Sequence, residues 1–339
     1  MADNSNAKPM THGVAGTAIA PPVQPFSRVA VVGCGWMGGQ IARVYAAAGL
    51  TVYLADTDPA AVRRTCDNLR RWLDQAAPDD SDARRGRVVQ AGLDELDEVE
   101  FVQEAVVEDM QVKQQLFAEL GQRLAPSIIL ATNTSRIRIS EIAARCRDPA
   151  RVLGVHWVSP AYIIPVVEIV PGPETASGTV DASCDFLRSI GRRPVICRKE
   201  IPGFLVNRIK EVLVNEALDL VAGGYASAED VDAVVRWSIA PRMALWGPLR
   251  AQDLQSNKKT VLAVAQYLYE QTGDQRFRPP RLLQDAVAAG HLGIVSGRGY
   301  YSYEGLDKET LMQYRDQSLI DILAYLEGRD DRALQEGSG

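Results

Sequence analysis

Along the N-terminal part of the chain, short continuous apolar runs alternate with longer stretches whose apolar residues recur every three or four positions. Arg28–Gly33 (RVAVVG), Thr51–Asp56 (TVYLAD), Phe101–Val106, SIILATN, VLGVHWV, VVEIVP and PVICRK read as strands. Met37–Ala48, Asp58–Trp72, Val112–Leu124, SEIAARC and TVDASCDFLRSIG read as helices. Gly49 stops the first helix, while Asp58 caps the second and Pro59 sits in its first turn. The polar stretch APDDSDARRGR breaks a helical hairpin. Apolar strands joined by helices predict an α/β domain over 27–199, with a doubly wound, mostly parallel sheet covered on both faces.

From Glu200 the texture changes to helix alone. Leu205, Ile209, Val212, Leu213, Ala217 and Leu220 mark one helical face, stopped by Gly223-Gly224. SAEDVDAVVRW predicts a helix capped by Ser227, and further helices are expected at Lys258–Gln271, Pro280–Ala288 and Lys308–Leu326. An all-helical C-terminal domain over 200–328 follows, with Lys199–Gly203 as linker. Its apolar stripes suit a homodimer, or else face the chain's own core. Residues 1–26 and 329–339 read as flexible tails without the features of a signal peptide.

Composition narrows the classes. The chain has 339 residues, 46 % hydrophobic and 24 % charged, with a net charge of −6. That balance argues against a nucleic-acid surface, and no apolar run is long enough for a membrane span. Five scattered cysteines without CxxC spacing suggest reduced thiols in a cytoplasm, and no metal-binding pattern is visible.

Three segments carry chemistry. GCGWMG sets Gly33, Gly35 and Gly38 at GxGxxG spacing between a strand and a helix, and Asp56 ends the next strand. This is the context of a Rossmann dinucleotide fingerprint: Gly33 permits the tight turn, Gly35 lets amides approach a pyrophosphate, and Gly38 lets helix and strand pack. Trp36 and Met37 belong to the same cofactor-binding turn. A ligand-free glycine-rich turn and a solvated Asp56 are the competing explanation. Asp56 would accept from ribose hydroxyls and repel a 2′-phosphate, so the cofactor expected is NAD rather than NADP. Among three histidines, His156 lies towards a strand end, and Glu168 sits on the following strand between Val167 and Ile169. An imidazole suits removal of a hydroxyl proton, and a carboxylate on its other nitrogen fixes the tautomer. A buried structural His–Glu bond is the competing explanation. Ser135 in ATNTSRIRIS and Asn207 in PGFLVNR are polar residues placed to face the same cleft, or else a turn residue and a solvated amide.

Together, GCGWMG, VQEAVVEDMQVKQQLF, ATNTS, VHWVSP, VVEIVPG, PGFLVNR and GRGYYSY resemble the L-3-hydroxyacyl-CoA dehydrogenases, over nearly all of Arg28–Tyr303. The resemblance implies His156 as catalytic base with Glu168 as its partner. Ser135 and Asn207 would hold the substrate oxygen, and Glu108 and Lys113 would lie near the nicotinamide ribose. Ser159 replaces the family's asparagine before Pro160, and the acidic APDDSD suits CoA phosphates poorly. APRMALWGPL is longer than the compact turn of the acyl-CoA enzymes and carries Arg242. With PAYIIPVVEIVPGPETASGTVD it looks like the lambda-crystallin, L-gulonate 3-dehydrogenase and carnitine dehydrogenase branch. Arg242 would read a substrate carboxylate, with Arg136 as a second anion reader; a surface ion pair is the plainer account of Arg242. The expected activity is NAD-dependent oxidation of a small free L-3-hydroxy acid. The alternative substrate is an L-3-hydroxyacyl-CoA or acyl-carrier-protein thioester. Outside the class stands a non-catalytic, crystallin-like NAD-binding protein.

Overall fold

The computed structural model describes residues 26–76, 86–255 and 257–328. Expectations placed on 1–25, on the acidic stretch APDDSD and on 329–339 lie outside these residues. The chain forms two compact units, one up to Val212 and one from Leu213.

In the first unit the strands are β1 (Arg28–Val32), β2 (Thr51–Ala55), β3 (Val88–Gln90), β4 (Phe101–Glu104), β5 (Ile129–Thr132), β6 (Val152–Trp157), β7 (Val166–Pro171) and β8 (Arg193–Ile196). They make one sheet in the order β3-β2-β1-β4-β5-β6-β7-β8. Every pairing is parallel except β6 with β7. The chain winds outward from β1 to β3 and then returns to start again at β4 beside β1. That reversal opens a crevice at the carboxyl ends of β1 and β4, where such sheets bind ligands.

Side chains alternate across the sheet, so each strand feeds two cores. Val29 and Val31 of β1 join Tyr45, Phe101, Trp157 and Phe186 under helices α1 (Trp36–Ala47), α2 (Pro59–Ala76) and α5 (Ser177–Ser189). Ala30 and Val32 join Phe117, Leu130, Ile139 and Phe204 under α3 (Met110–Arg123) and α4 (Ile139–Ala143). Phe26, assigned to the tail by sequence, packs its ring 5.1 Å from that of Phe186. Strand β3 was not predicted. It has three residues, too few for periodicity, and is recruited by pairing Val52 with Val88.

The remaining helices are α6 (Val206–Ala222), α7 (Ala228–Val234), α8 (Ala240–Gln255), α9 (Lys258–Thr272), α10 (Arg281–Ala288) and α11 (Lys308–Glu327). Ser227 caps α7, its Oγ accepting from Asp230 N at 3.1 Å. Helix α8 occupies the segment that sequence reads as an extended turn. Gly247 (φ 71°) and Pro248 interrupt it, which is why no continuous period is visible there. Among the described residues, no helix is long and apolar enough to cross a membrane.

The second unit is organised around a buried ion pair. Asp253 accepts from Lys258 Nζ, from the amides of Tyr300 (3.1 Å) and Tyr301 (3.0 Å), and from the Tyr303 hydroxyl (3.2 Å). Both side chains of the pair are 0 % exposed. Gly299 lies so close that a Cβ would stand 2.2 Å from Asp253 Oδ1. The GRGYYSY motif is thus the wrapping of one carboxylate. Asp253→Ala should destabilise this unit by about 3–5 kcal/mol, because it strands Lys258 as a buried charge. Urea denaturation checks this, and a loss below about 1 kcal/mol, the scale of a surface pair, would refute it.

Candidate active site

Strand β1 ends in the Gly33-Cys34-Gly35 turn, and α1 starts at Trp36 with no side-chain cap and no acidic residue in its first turn. The three glycines are there for different reasons. Gly33 has φ 103°, and a Cβ would lie 2.6 Å from the Ala105 carbonyl beyond β4. Gly38 lets α1 press on the turn, since a Cβ would stand 1.8 Å from Gly33 O. Gly35 has extended backbone, and nothing lies within 4 Å of where its Cβ would be. The protein's own packing does not require glycine there. A ligand approaching the backbone would, and the uncapped amino end of α1 favours an anion. These residues fit the pyrophosphate of a dinucleotide.

Asp56, at the end of β2, accepts from Cys34 N at 2.7 Å and from Asp58 N at 2.9 Å. It lines a cavity of about 550 Å³ together with Gly33, Gly35, Leu93, Val106 and Val112. A half-buried carboxylate suits ribose hydroxyls and opposes a 2′-phosphate. A second cavity, of about 660 Å³, shares Gly35, Ala105, Val106 and Val107 with the first. Met37, Glu108, Asn133, Ser135, His156, Ser159 and Asn207 also line it. The two make one cleft across the crevice of the sheet.

The antiparallel register sets His156 directly opposite Glu168. Their neighbours Val155, Trp157, Val167 and Ile169 belong to the opposite core, so the polar pair shares the face of Val170 and Phe204. His156 Nδ1 lies 2.7 Å from Glu168 Oε2. An ionised carboxylate can only accept, which puts a proton on Nδ1 and, in the neutral ring, leaves the lone pair on Nε2; the residue lines the cavity. Glu168 Oε1 accepts from the amides of Leu205 (2.7 Å) and Val206 (3.0 Å), where α6 begins. Burial opposes its ionisation, but hydrogen bonds from His156, Val206 and Leu205 outweigh it and hold the carboxyl below the usual range.

A second polar network supports the other wall. Glu108 Oε1 accepts from Thr134 Oγ1 (2.6 Å) and from the amides of Ser135 (3.0 Å) and Arg136 (3.3 Å). Burial pushes its carboxyl up, yet these bonds and Lys113 bring it below its ordinary value. Lys113 is 1 % exposed, with Nζ 2.6 Å from Glu104 and 3.4 Å from Glu108. Its ammonium therefore turns into the protein, beneath Glu108. Glu104, fully buried, also accepts from Thr132 Oγ1 at 2.6 Å and Val106 N at 2.7 Å. Burial raises its carboxyl above the usual range.

The cleft thus gathers Gly35, Met37, Glu108, Ser135, His156 and Asn207 along its walls, with Gly33 and Asp56 at its far end. Trp36 is 78 % exposed and lines a neighbouring cavity that meets the cleft at Gly35, where Arg43 lies over the rings of Trp72 and Tyr162. Arg136 is exposed and donates to Glu108 O at 3.3 Å. Arg242 lies exposed on α8 in the second unit, without an ion-pair partner among the described residues. Sequence reasoning missed Glu104, Asn133 and Gln40. Asn133 Oδ1 accepts from Trp157 N at 2.9 Å, and Gln40 Oε1 from Ala161 N at 2.7 Å, bracketing the strand end at His156. Glu104 did leave a signal, a carboxylate ending an apolar strand as Glu168 interrupts one.

A dinucleotide cradle beside a paired histidine defines an NAD-dependent dehydrogenase. The chain belongs to the 3-hydroxyacyl-CoA dehydrogenase family: the NAD binding domain matches at residues 28–201 and the C-terminal domain at 203–303. It is 31% identical over 312 residues to a 5-formyl-3-hydroxy-2-methylpyridine 4-carboxylate 5-dehydrogenase of Mesorhizobium japonicum, covering 89% of this chain and 99% of that protein. A 3-hydroxybutyryl-CoA dehydrogenase of Mycobacterium tuberculosis is 34% identical over 286 residues, 82% of this chain and 99% of its own length. A crystal structure of a 3-hydroxyacyl-CoA dehydrogenase from Archaeoglobus fulgidus superimposes with TM-score 0.76 at 31% identity, over 89% of this chain and 99% of that one.

The glycine geometry gives a paired test. Gly35→Ala should keep the melting temperature yet weaken NADH binding at least tenfold, because the methyl fills the open cradle. Gly38→Ala should lower the melting temperature, since backbone stands in its way. NADH fluorescence titration and thermal melts check both, and normal NADH affinity in Gly35→Ala would remove the cradle.

Proposed function

We propose that the chain oxidises the hydroxyl of an L-3-hydroxyacyl-CoA thioester to the 3-oxo product. The carrying observation is the His156–Glu168 contact of 2.7 Å within a cleft continuous with the dinucleotide cradle. NAD, held by Gly33, Gly35, Gly38 and Asp56, supplies the hydride acceptor. His156 takes the hydroxyl proton on Nε2. Glu168 keeps the ring in that tautomer and stabilises the imidazolium that results. Ser135 and Asn207 donate to the substrate oxygen as it becomes a carbonyl, and stabilise negative charge there in the reverse direction. Glu108 fixes the Ser135 backbone through its amide.

Sequence favoured a small free acid. Relatives named 3-hydroxybutyryl-CoA dehydrogenase support the thioester instead. The free-carboxylate reading keeps one specific support, the relative named for a pyridine 4-carboxylate substrate. In that reading Arg242 is the carboxylate reader. Helix α6 has no buried residue and exposes Ile209 (65 %), Val212 (64 %) and Leu218 (61 %), which supports a homodimer formed through the helical unit. Five buried free cysteines support a reducing, cytoplasmic compartment.

At alkaline pH, NADH should form with L-3-hydroxybutyryl-CoA and not with free 3-hydroxybutyrate, L-gulonate or L-carnitine. A signal from a free acid alone would replace this reading with the second. His156→Ala should lower turnover by about 10²–10⁴-fold while NADH binding persists, and wild-type turnover would sink the base assignment.

A further inference from the structure

We infer that the Gly203–Phe204 turn is a positioning element of the active site, aiming the first amides of α6 at the Glu168 oxygen that His156 leaves free. The inference rests on the reading of His156 as the base. Phe204 is the residue other than glycine with positive φ among the described residues, at 47°, and follows Gly203 at 78°. A side chain with a Cβ avoids that conformation, and it persists only where the surroundings enforce it. Here they do. Phe204 is 1 % exposed, and its amide donates to Ile201 O at 3.0 Å.

The two positive-φ residues turn the chain into α6, so that the amides that follow them reach one carboxylate oxygen. Leu205 and Val206 both donate to Glu168 Oε1. The same turn seats the Phe204 ring against the imidazole, with centroids 5.7 Å apart and planes at 61°. Asn207 is the next residue along, so one carboxylate fixes both the base and the helix start that carries the carbonyl donor.

The arrangement has an electrostatic consequence. The two amides and the amino end of α6 draw charge from Glu168 and, with the His156 contact, hold its carboxyl below the usual range. The other titratable groups nearby are Cys197, just past β8, whose thiol burial and Glu168 push up, and Glu108 and Lys210, which line the cavity.

Val206→Pro removes one donor at the first helical position, where proline is tolerated. Val206→Ala alters the same side chain but keeps the amide. With one donor gone, Glu168 holds the protonated imidazole harder. The acid limb of kcat for oxidation should then move to higher pH by about half a unit in Val206→Pro, and stay in place in Val206→Ala. Phe204→Leu should lower kcat about tenfold or more without raising KM for NAD, and Phe204→Tyr should recover most of it. Identical pH profiles for the two Val206 variants would overturn the inference, as would a Phe204→Leu protein that melts lower but turns over normally. A measurement on the wild-type protein needs no variant. The amide proton shifts of Leu205 and Val206 should titrate with the His156 ring, because the pair behaves as one unit. Amides indifferent to that titration would overturn the inference. Amides that follow it, beside wild-type turnover in His156→Ala, would sink the base assignment and leave the clamp supported.

Discussion

Strands β7 and β8 run against the other six strands of the sheet, and the reversal at β6–β7 sets two polar side chains, His156 and Glu168, face to face; the site depends on it. In the antiparallel pair of β6 and β7 they are direct partners on one face. Their neighbours go to the opposite core, so the pair costs the hydrophobic interior little. What it costs in desolvation is offset by a set of hydrogen bonds that leaves neither Glu168 oxygen unsatisfied.

The other wall of the cleft follows the same logic. Glu104, Lys113 and Glu108 are charged groups at the carboxyl edge of the sheet, and each is fully engaged by another or by a threonine. A buried ammonium between two carboxylates fixes the segment that follows β4, and with it the loop bearing Ser135. The residues that touch the cleft are therefore held by residues that do not. A fold shared by many functions says little about chemistry. This paired, buried scaffolding beneath specific side chains says more.

Local signals were readable in the chain, and distant ones were not. The glycine fingerprint lies within six residues between a strand and a helix, so each glycine's task follows from its place in one turn. His156 and Glu168 were legible because a short connection leaves two neighbouring strands little choice but to pair. Lys113 was legible as a motif residue, but its direction was not. It points inward because Glu104 lies beneath it, and no pattern of spacing records that. Gln40 meets Ala161 across 121 positions, and nothing in either segment announces the other. Helix α8 was hidden by its own Gly247-Pro248 break.

The chain by itself determined the two-part architecture, the dinucleotide turn and the pairing of His156 with Glu168, because these depend on periodicity and on contacts between adjacent elements. Tertiary structure decided which groups stand behind them. It also put Phe204 into left-handed backbone, a conformation its own chemistry disfavours. Local preference cannot forecast a residue held against that preference. Only the packing around Glu168 and His156 supplies the reason.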